Sequence, residues 1–158
     1  ILELPGPSVP NAEYERIMAG FVARALAQGV EAVAFGDLYL EDIRAYRESR
    51  LAGTGLAPLF PLWGRDTAAL AREMIASGLD ARVVAIDLAH VPRALVGTPF
   101  DKTFLAALPE GTDPCAEKGE FHTVVVGGPM LAEPLDIVVG PMTEEGGYAF
   151  ADLRLERP

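Results

Sequence analysis

The sequence predicts an α/β protein that opens on a parallel sheet. Three observations predict it. Two apolar runs, Ile1–Leu4 and Glu31–Phe35, flank a helical stretch, and strand, helix, strand in that order is a βαβ unit, which requires parallel strands. Within the helical stretch Tyr14, Ile17, Met18, Phe21, Val22, Ala25 and Leu26 recur at three-to-four spacing and make one apolar face. The chain has 158 residues, half of them apolar, which suffices to bury a core as one domain or as two small ones.

The elements follow in order. Gly6 to Pro10 is a loop stiffened by prolines. Asn11 is placed to cap the first helix, and Gly29 ends it. Gly36-Asp37-Leu38 follows the Glu31–Phe35 strand at its carboxyl end, where ligands collect in parallel sheets, so Gly36 and Asp37 are placed to touch a nucleotide or a substrate. Asp42 to Leu51 is a charged helix whose Arg44, Arg47 and Arg50 share an edge, with Asp42 and Glu48 near enough to pair with them. That edge reads either as a solvated face laced with ion pairs or as an arginine fork for phosphate or carboxylate. Gly53 and Gly55 break the helix, and Ala57 to Trp63 is extended. Asp66 caps a helix that turns Leu70, Met74 and Ile75 to the core and stops at Gly78. Ala81–Asp87 is a strand. Residues 97–111 hold a loop and a short helix that begins at Asp101. Leu135–Val139 and Tyr148–Leu155 form a closing hairpin across Glu144-Glu145-Gly146-Gly147.

Composition excludes several classes. A net charge of −10 disfavours nucleic acid as the main partner, because phosphate binding needs a concentrated basic surface. No apolar run is long enough for a membrane span, and no signal-peptide pattern is present. The single cysteine, Cys115, forbids an internal disulfide framework and fits a reducing, cytoplasmic compartment. One cysteine and two histidines, His90 and His122, fall short of a zinc ligand set, so no metal site is expected from these residues.

The chemistry concentrates in Asp113–Pro129, DPCAEKGEFHTVVVGGP. A polar knot runs into a β-branched apolar run, Phe121–Val126, which reads as a buried core strand. Glu117, Glu120, His122 and Thr123 gather near its start around Gly119. Such a cluster can orient an amine, take a proton or hold a metal. The alternative is a turn glycine, a solvated glutamate and a half-buried histidine. Both readings stand on the residues alone. Cys115 is a nucleophile candidate with His122 as its base, or a residue that lines a substrate.

DPCAEKGEFHT resembles the C-terminal signature of the diphthine–ammonia ligase family, approximately D-P-C-G-E-N-G-E-F-H-T in its bacterial members. Nine of these eleven positions match; Ala116 stands where the family usually has Gly, and Lys118 where it usually has Asn. FGDLYLEDIRAYRE resembles a second family motif and PLWGRDT a third, in the family's order.

The resemblance implies an N-type PP-loop ATP pyrophosphatase. Its fold would be a parallel HUP/Rossmann-like nucleotide-binding sheet over residues 1–79, then a smaller α+β substrate-side domain over 80–158. The family's S-G-G-K-D-S phosphate loop does not occur here and the chain opens on Ile1, so it reads as the later part of a longer protein. The implied reaction is adenylation of a carboxylate with release of pyrophosphate, then amidation by ammonia, with ATP and magnesium. Glu117 and Glu120 are suited to bind ammonium and take its proton, with His122 orienting one of them or contacting substrate. The resemblance raises Gly36, Asp37 and Trp63 to nucleotide contacts, although Trp63 is equally a core tryptophan. It raises Asp42, Arg44, Arg47, Cys115, Gly119 and Thr123 to the substrate side. The acceptor carboxylate is a protein side chain or a small molecule, as in cofactor salvage. A non-catalytic nucleotide-binding or scaffold module is the alternative, and a homodimer is left open.

Overall fold

The computed structural model describes residues 9–156; the strand expected at Ile1–Leu4 lies outside them. The chain packs as two units, one through Gly64 and one from Arg65 onward. This packing division falls before the functional one drawn from sequence at residue 80.

In the first unit, helix α1 (Asn11–Ala27) starts directly on Asn11. Pro10, not Asn11, takes the cap position and offers no side-chain acceptor. Gln28 and Gly29 close α1 on its own carbonyls, with Gly29 at φ 77°. Strands β1 (Ala32–Ala34) and β2 (Ala57–Leu59) pair in parallel, with Ala32 opposite Ala57. Helix α2 (Glu41–Leu51) joins them. The parallel pairing thus falls between these two strands, while the βαβ unit expected from Ile1–Leu4 through α1 to Glu31–Phe35 rests on a strand outside the described residues; β2 is shorter than the extended stretch read from sequence. Ala25, Leu51 and Leu56 form a small core with Val22, Val33 and Phe35 against it.

The second unit is antiparallel. Strand β3 (Asp80–Asp87), β4 (Phe121–Gly127), β5 (Ile137–Glu145) and β6 (Tyr148–Leu155) make one sheet in the order β4-β3-β6-β5. Together the two sheets make a mixed α/β chain. Helix α3 (Thr67–Ala76) carries the predicted cap: the Asp66 carboxylate accepts from the Ala69 N–H at 2.7 Å. Helix α4 (Lys102–Ala107) is capped in the same way by Asp101, at 2.8 Å from the Phe104 nitrogen. These helices supply Ala71 and Phe104 to a core that includes Val83, Ile86, Phe121, Ala149 and Ala151. Phe104 sets its ring edge-on to Phe121, with centroids 5.0 Å apart, and Phe100 lies beside both. Full burial of one such ring contributes about 1.5–3 kcal/mol.

The closing hairpin forms, but β5 runs on through Glu144 and Glu145, which the sequence reads as turn residues, so the turn narrows to Gly146-Gly147. Glu145 pairs with Tyr148 across Gly146-Gly147, whose φ values are 60° and 87°. Two consecutive positive φ angles define the two-residue turn that matches strand twist, which is why glycines stand there.

Strand β4 corrects the sequence reading. Among the described residues it is an edge strand, paired only with β3, and His122 to Val125 are exposed. Only Phe121, Val126 and Gly127 are buried in it. A continuous apolar run fits a strand buried on both faces, but the same residues also tolerate an edge, and periodicity does not separate the two.

Candidate functional site

Two clusters gather the residues singled out from sequence, one in each unit.

The first lies at the carboxyl ends of β1 and β2. The Phe35 N–H donates to the Leu59 carbonyl at 2.8 Å, and the Gly64 N–H to the Leu38 carbonyl at 2.8 Å, so the loops after the two strands run side by side. The Phe35 and Phe60 rings stack at 5.5 Å, and Trp63 meets Phe60 edge-on at 6.1 Å. Helix α2 lays two guanidinium groups on these rings. Arg44 sits 4.7 Å from the Trp63 ring and 4.8 Å from Phe60, and Arg47 sits 5.0 Å from Phe35. Each such contact contributes about 0.5–2 kcal/mol, more where water is excluded.

Arg44 also donates to Glu48 at 2.9 Å, so its charge is matched within the helix. Arg47 faces Asp37 at 3.6 Å, and that approach is too long for a hydrogen bond. Among the described residues, Asp37 Oδ2 and Arg47 Nε are both buried there without a hydrogen-bond partner. Buried polar atoms left in this condition are uncommon. Beside Arg47, a cleft of about 420 Å³ opens between α1 and α2, lined by Tyr14, Met18, Val22, Phe35 and Leu51 among others. Thus Asp37, Arg44, Arg47 and Trp63 are drawn together, with Gly36 in the same loop. Asp42 stands exposed on the first turn of α2.

The second cluster is the loop before β4. The Asp113 carboxylate accepts from the Cys115 N–H and from the Glu117 N–H, each at 3.0 Å. The Glu120 carboxylate, 5 % exposed, accepts from the Lys118 N–H at 3.1 Å and, more distantly, from the Asp113 N–H at 3.4 Å. Two buried acids thus hold the loop through its own amides, a charge-assisted form of the usual turn bond. Between them Ala116 takes φ 56° and Gly119 φ 83°. The left-handed angle at Ala116 gives a physical reason for the glycine that the signature usually carries there.

The Cys115 thiol donates to the Thr67 carbonyl at 3.2 Å. Burial, followed by the Asp113 and Glu117 charges, pushes its pKa up to about 11. A nucleophile needs the thiolate, so this environment argues against nucleophilic catalysis and for a lining role. Glu117 is half-buried in the loop, whereas His122 and Thr123 stand exposed on β4. Among the described residues no group of three or more His, Cys, Asp or Glu side chains is placed to hold a metal ion.

Sequence reasoning passed over Phe35 and Phe60, the platform under the arginines, and the latching role of Asp113. For Asp113 a signal existed: an Asp-Pro pair followed by small and polar residues is a turn pattern in which the carboxylate bonds amides ahead of it. The pairing of Asp87 Oδ2 with His90 Nδ1 at 2.8 Å was also missed. The Ala89 N–H, then His90, hold the Asp87 carboxyl below its usual range.

The family model described as diphthamide synthase C-terminal domain matches residues 66–152, which include the latched loop and all of β4. A diphthine–ammonia ligase of Danio rerio is 34 % identical over 130 residues, covering 77 % of this chain and 50 % of the relative. One of Bos taurus is 27 % identical over 127 residues, covering 77 % of this chain and 48 % of its own length. The chain spans about half the length of these curated relatives. With a latched signature loop inside a family match that runs through more than half its residues, the chain belongs to the diphthine–ammonia ligase family.

Proposed function

We propose that this chain is the acceptor-side and part of the nucleotide-side machinery of an ATP-dependent amide-forming ligase. In this reading a carboxylate is adenylated, pyrophosphate leaves, and ammonia displaces AMP. The observation that carries it is the latched loop Asp113–Glu120, lying within the segment that matches the diphthamide synthase C-terminal domain.

The loop's chemistry suits the second step. Asp113 and Glu120 fix the backbone, so the position of the Glu117 carboxylate is set before any ligand arrives. Glu117 binds ammonium and takes its proton, releasing neutral ammonia as the nucleophile. Glu120 acts with it from the buried side, chiefly by holding the Lys118 amide. His122, exposed at the start of β4, contacts the acceptor, and Cys115, Gly119 and Thr123 line its path.

The aromatic and arginine cluster suits the first step. Trp63 and Phe60 offer ring faces to a base, Gly36 and Asp37 border the nucleotide, and Arg47 takes an anionic oxygen, relieving its unmatched Nε. Arg44 and Asp42, on the same helix as Arg47, are assigned to the substrate. The cleft beside Arg47 has the volume range of small-molecule sites and would take the body of an acceptor. ATP brings its own magnesium in this scheme. That ion is commonly held by phosphates and one or two carboxylates, so the scattered carboxylates of the described residues are compatible with it. A HUP-type parallel sheet, of which β1 and β2 would be a part, is the setting that this reading implies.

The test uses the complete gene product with ATP, magnesium and ammonium, scored for AMP and pyrophosphate against a panel of carboxylates. The panel spans small molecules and peptides. Acceptor-dependent AMP that falls at least about a hundredfold in Glu117→Gln is expected, the scale of a lost proton-transfer group. ATP binding without AMP for any acceptor would overturn the ligase reading and favour a nucleotide-binding module.

A further inference from the structure

A titratable pair outside the two clusters lies at the end of β3. Asp87 is the last residue of that strand, and His90 follows in the turn. Asp87 Oδ2 lies 2.8 Å from His90 Nδ1, and Asp87 Oδ1 accepts from the Ala89 N–H at 2.9 Å. With its carboxyl held below the usual range, chiefly by the Ala89 N–H, Asp87 is ionised at neutral pH. An ionised carboxylate only accepts, so the ring nitrogen that faces it carries the proton. The other nitrogen, Nε2, keeps its lone pair, and this is the tautomer that a general base needs. The Asp87 side chain is 22 % exposed and the His90 side chain 59 %. The orienting group is therefore the covered one, and the ring is open to a ligand.

Two contacts tie this turn to the signature loop. The Asp87 N–H donates to the Glu120 carbonyl at 2.9 Å, and Thr112 Oγ1 donates, more distantly, to the His90 carbonyl at 3.4 Å. The turn thus meets the loop at both ends, beside Asp113 and at Glu120. The strand register adds His122. Ala85 stands opposite His122, and Asp87 lies two residues beyond Ala85 in an unbroken register. Asp87 and His122 therefore share one face of the sheet as diagonal neighbours, within reach of long side chains.

The amidation step has a use for such a pair. Ammonium gives up one proton to become a nucleophile, and the nitrogen gives up another once it has bonded to the acyl carbon. Glu117 is assigned the first proton in the reading above, and the second has no acceptor there. We propose that His90 is the base for the second proton, with Asp87 as its positioning residue. This inference rests on the ligase reading. In the step, the ammonia nitrogen bonds to the acyl carbon, the bond from that carbon to the phosphate oxygen breaks, and its electron pair leaves with AMP. The proton shed by the nitrogen passes to His90 Nε2. The products are the amide, AMP and an imidazolium that the Asp87 carboxylate stabilises until water takes the proton.

Two measurements test it. Nitrogen-15 NMR of the 158-residue chain in mildly alkaline solution reads the His90 tautomer and needs no substrate. The Nδ1–H form is expected in the wild type. Asp87→Asn keeps an oxygen for the Ala89 amide and turns its NH₂ to the ring, so the Nε2–H form is expected there. The second measurement uses the complete gene product. Acceptor-dependent exchange of pyrophosphate into ATP reports adenylation, and amide release with ammonium reports the step at issue. His90→Gln should lower the ratio of amide release to exchange by about a hundredfold. Imidazole in the buffer should restore part of the loss in His90→Ala, because the ring position is exposed. Far-UV circular dichroism establishes that each variant is folded. An Nε2–H tautomer in the wild type would overturn the proposal. So would a ratio unchanged in His90→Gln, or a loss that imidazole does not relieve. Absence of exchange with every carboxylate of the panel would instead remove the ligase reading, and this role with it.

Discussion

Replacing Glu120 by glutamine tests whether its carboxylate holds the loop. The wild-type group is 5 % exposed and receives two backbone N–H groups, from Lys118 at 3.1 Å and from Asp113 at 3.4 Å. Glutamine keeps one carbonyl oxygen and turns an NH₂ group toward the other amide. One charge-assisted bond is lost, and two donors face each other where water has little access. A bond to a charged group contributes about 1.5–3 kcal/mol, and a buried unsatisfied donor costs a further 1–3. The 3.4 Å contact is the weaker one, and the side chain will sacrifice it, so a net loss of about 2–3 kcal/mol is expected. For a unit of this size that lowers the melting temperature by roughly 10–20 °C. Calorimetry of the 158-residue chain reads the shift, and hydrogen exchange at the Lys118 amide reads the latch itself. A melting temperature within about 2 °C of wild type, with the Lys118 amide equally protected, would refute the latch.

Ala116→Gly removes a side chain from a left-handed residue at φ 56° and should raise stability by about 0.5–1 kcal/mol, seen as a higher urea midpoint at unchanged m-value. Asp66→Ala deletes the acceptor for the Ala69 amide and should cost about 1 kcal/mol by the same measurement. Cys115, with its pKa pushed up to about 11, should resist iodoacetamide at pH 7–8 and react progressively faster as pH approaches 11. The folded thiol also holds its proton more tightly than the unfolded one. That contribution to stability is therefore complete below the ordinary thiol range and is lost as pH rises toward 11. Denaturant melts of Cys115→Ala should lack that component of the alkaline decline.

Where a local rule decides the structure, the sequence was readable. Asp66 stands three residues before the amide that it caps, and Gly146-Gly147 supplies the two positive φ angles that a tight hairpin needs. The helix read over Asp42–Leu51 was equally legible, whereas the parallel partner of β1 proved to be Ala57–Leu59, a pairing that no local pattern marks. The position of β4 was not legible either, because an edge is a property of strand order. Thr123, Val124 and Val125 would look the same in the middle of a sheet. Strand ends and arginines pointed to the first cluster, but its aromatic platform depends on Phe35 and Phe60 meeting from different strands. At the loop the residues were found while one role was not. Asp113 was read as part of a matching pattern, and its function as an acceptor for two amides appears only once the backbone turns at Ala116.

The division between Gly64 and Arg65 has a consequence for how this protein can be recombined. A crossover there would interrupt no helix or strand, since β2 ends at Leu59 and α3 begins at Thr67. It would also leave the Asp66 cap with the helix that it serves, and the whole latched loop on one side of the joint. The segment from Arg65 onward is thus expected to transfer as a cassette. Its start lies one residue before the family match at 66, so a gene fusion at that codon would transplant the signature together with the packing that shapes it.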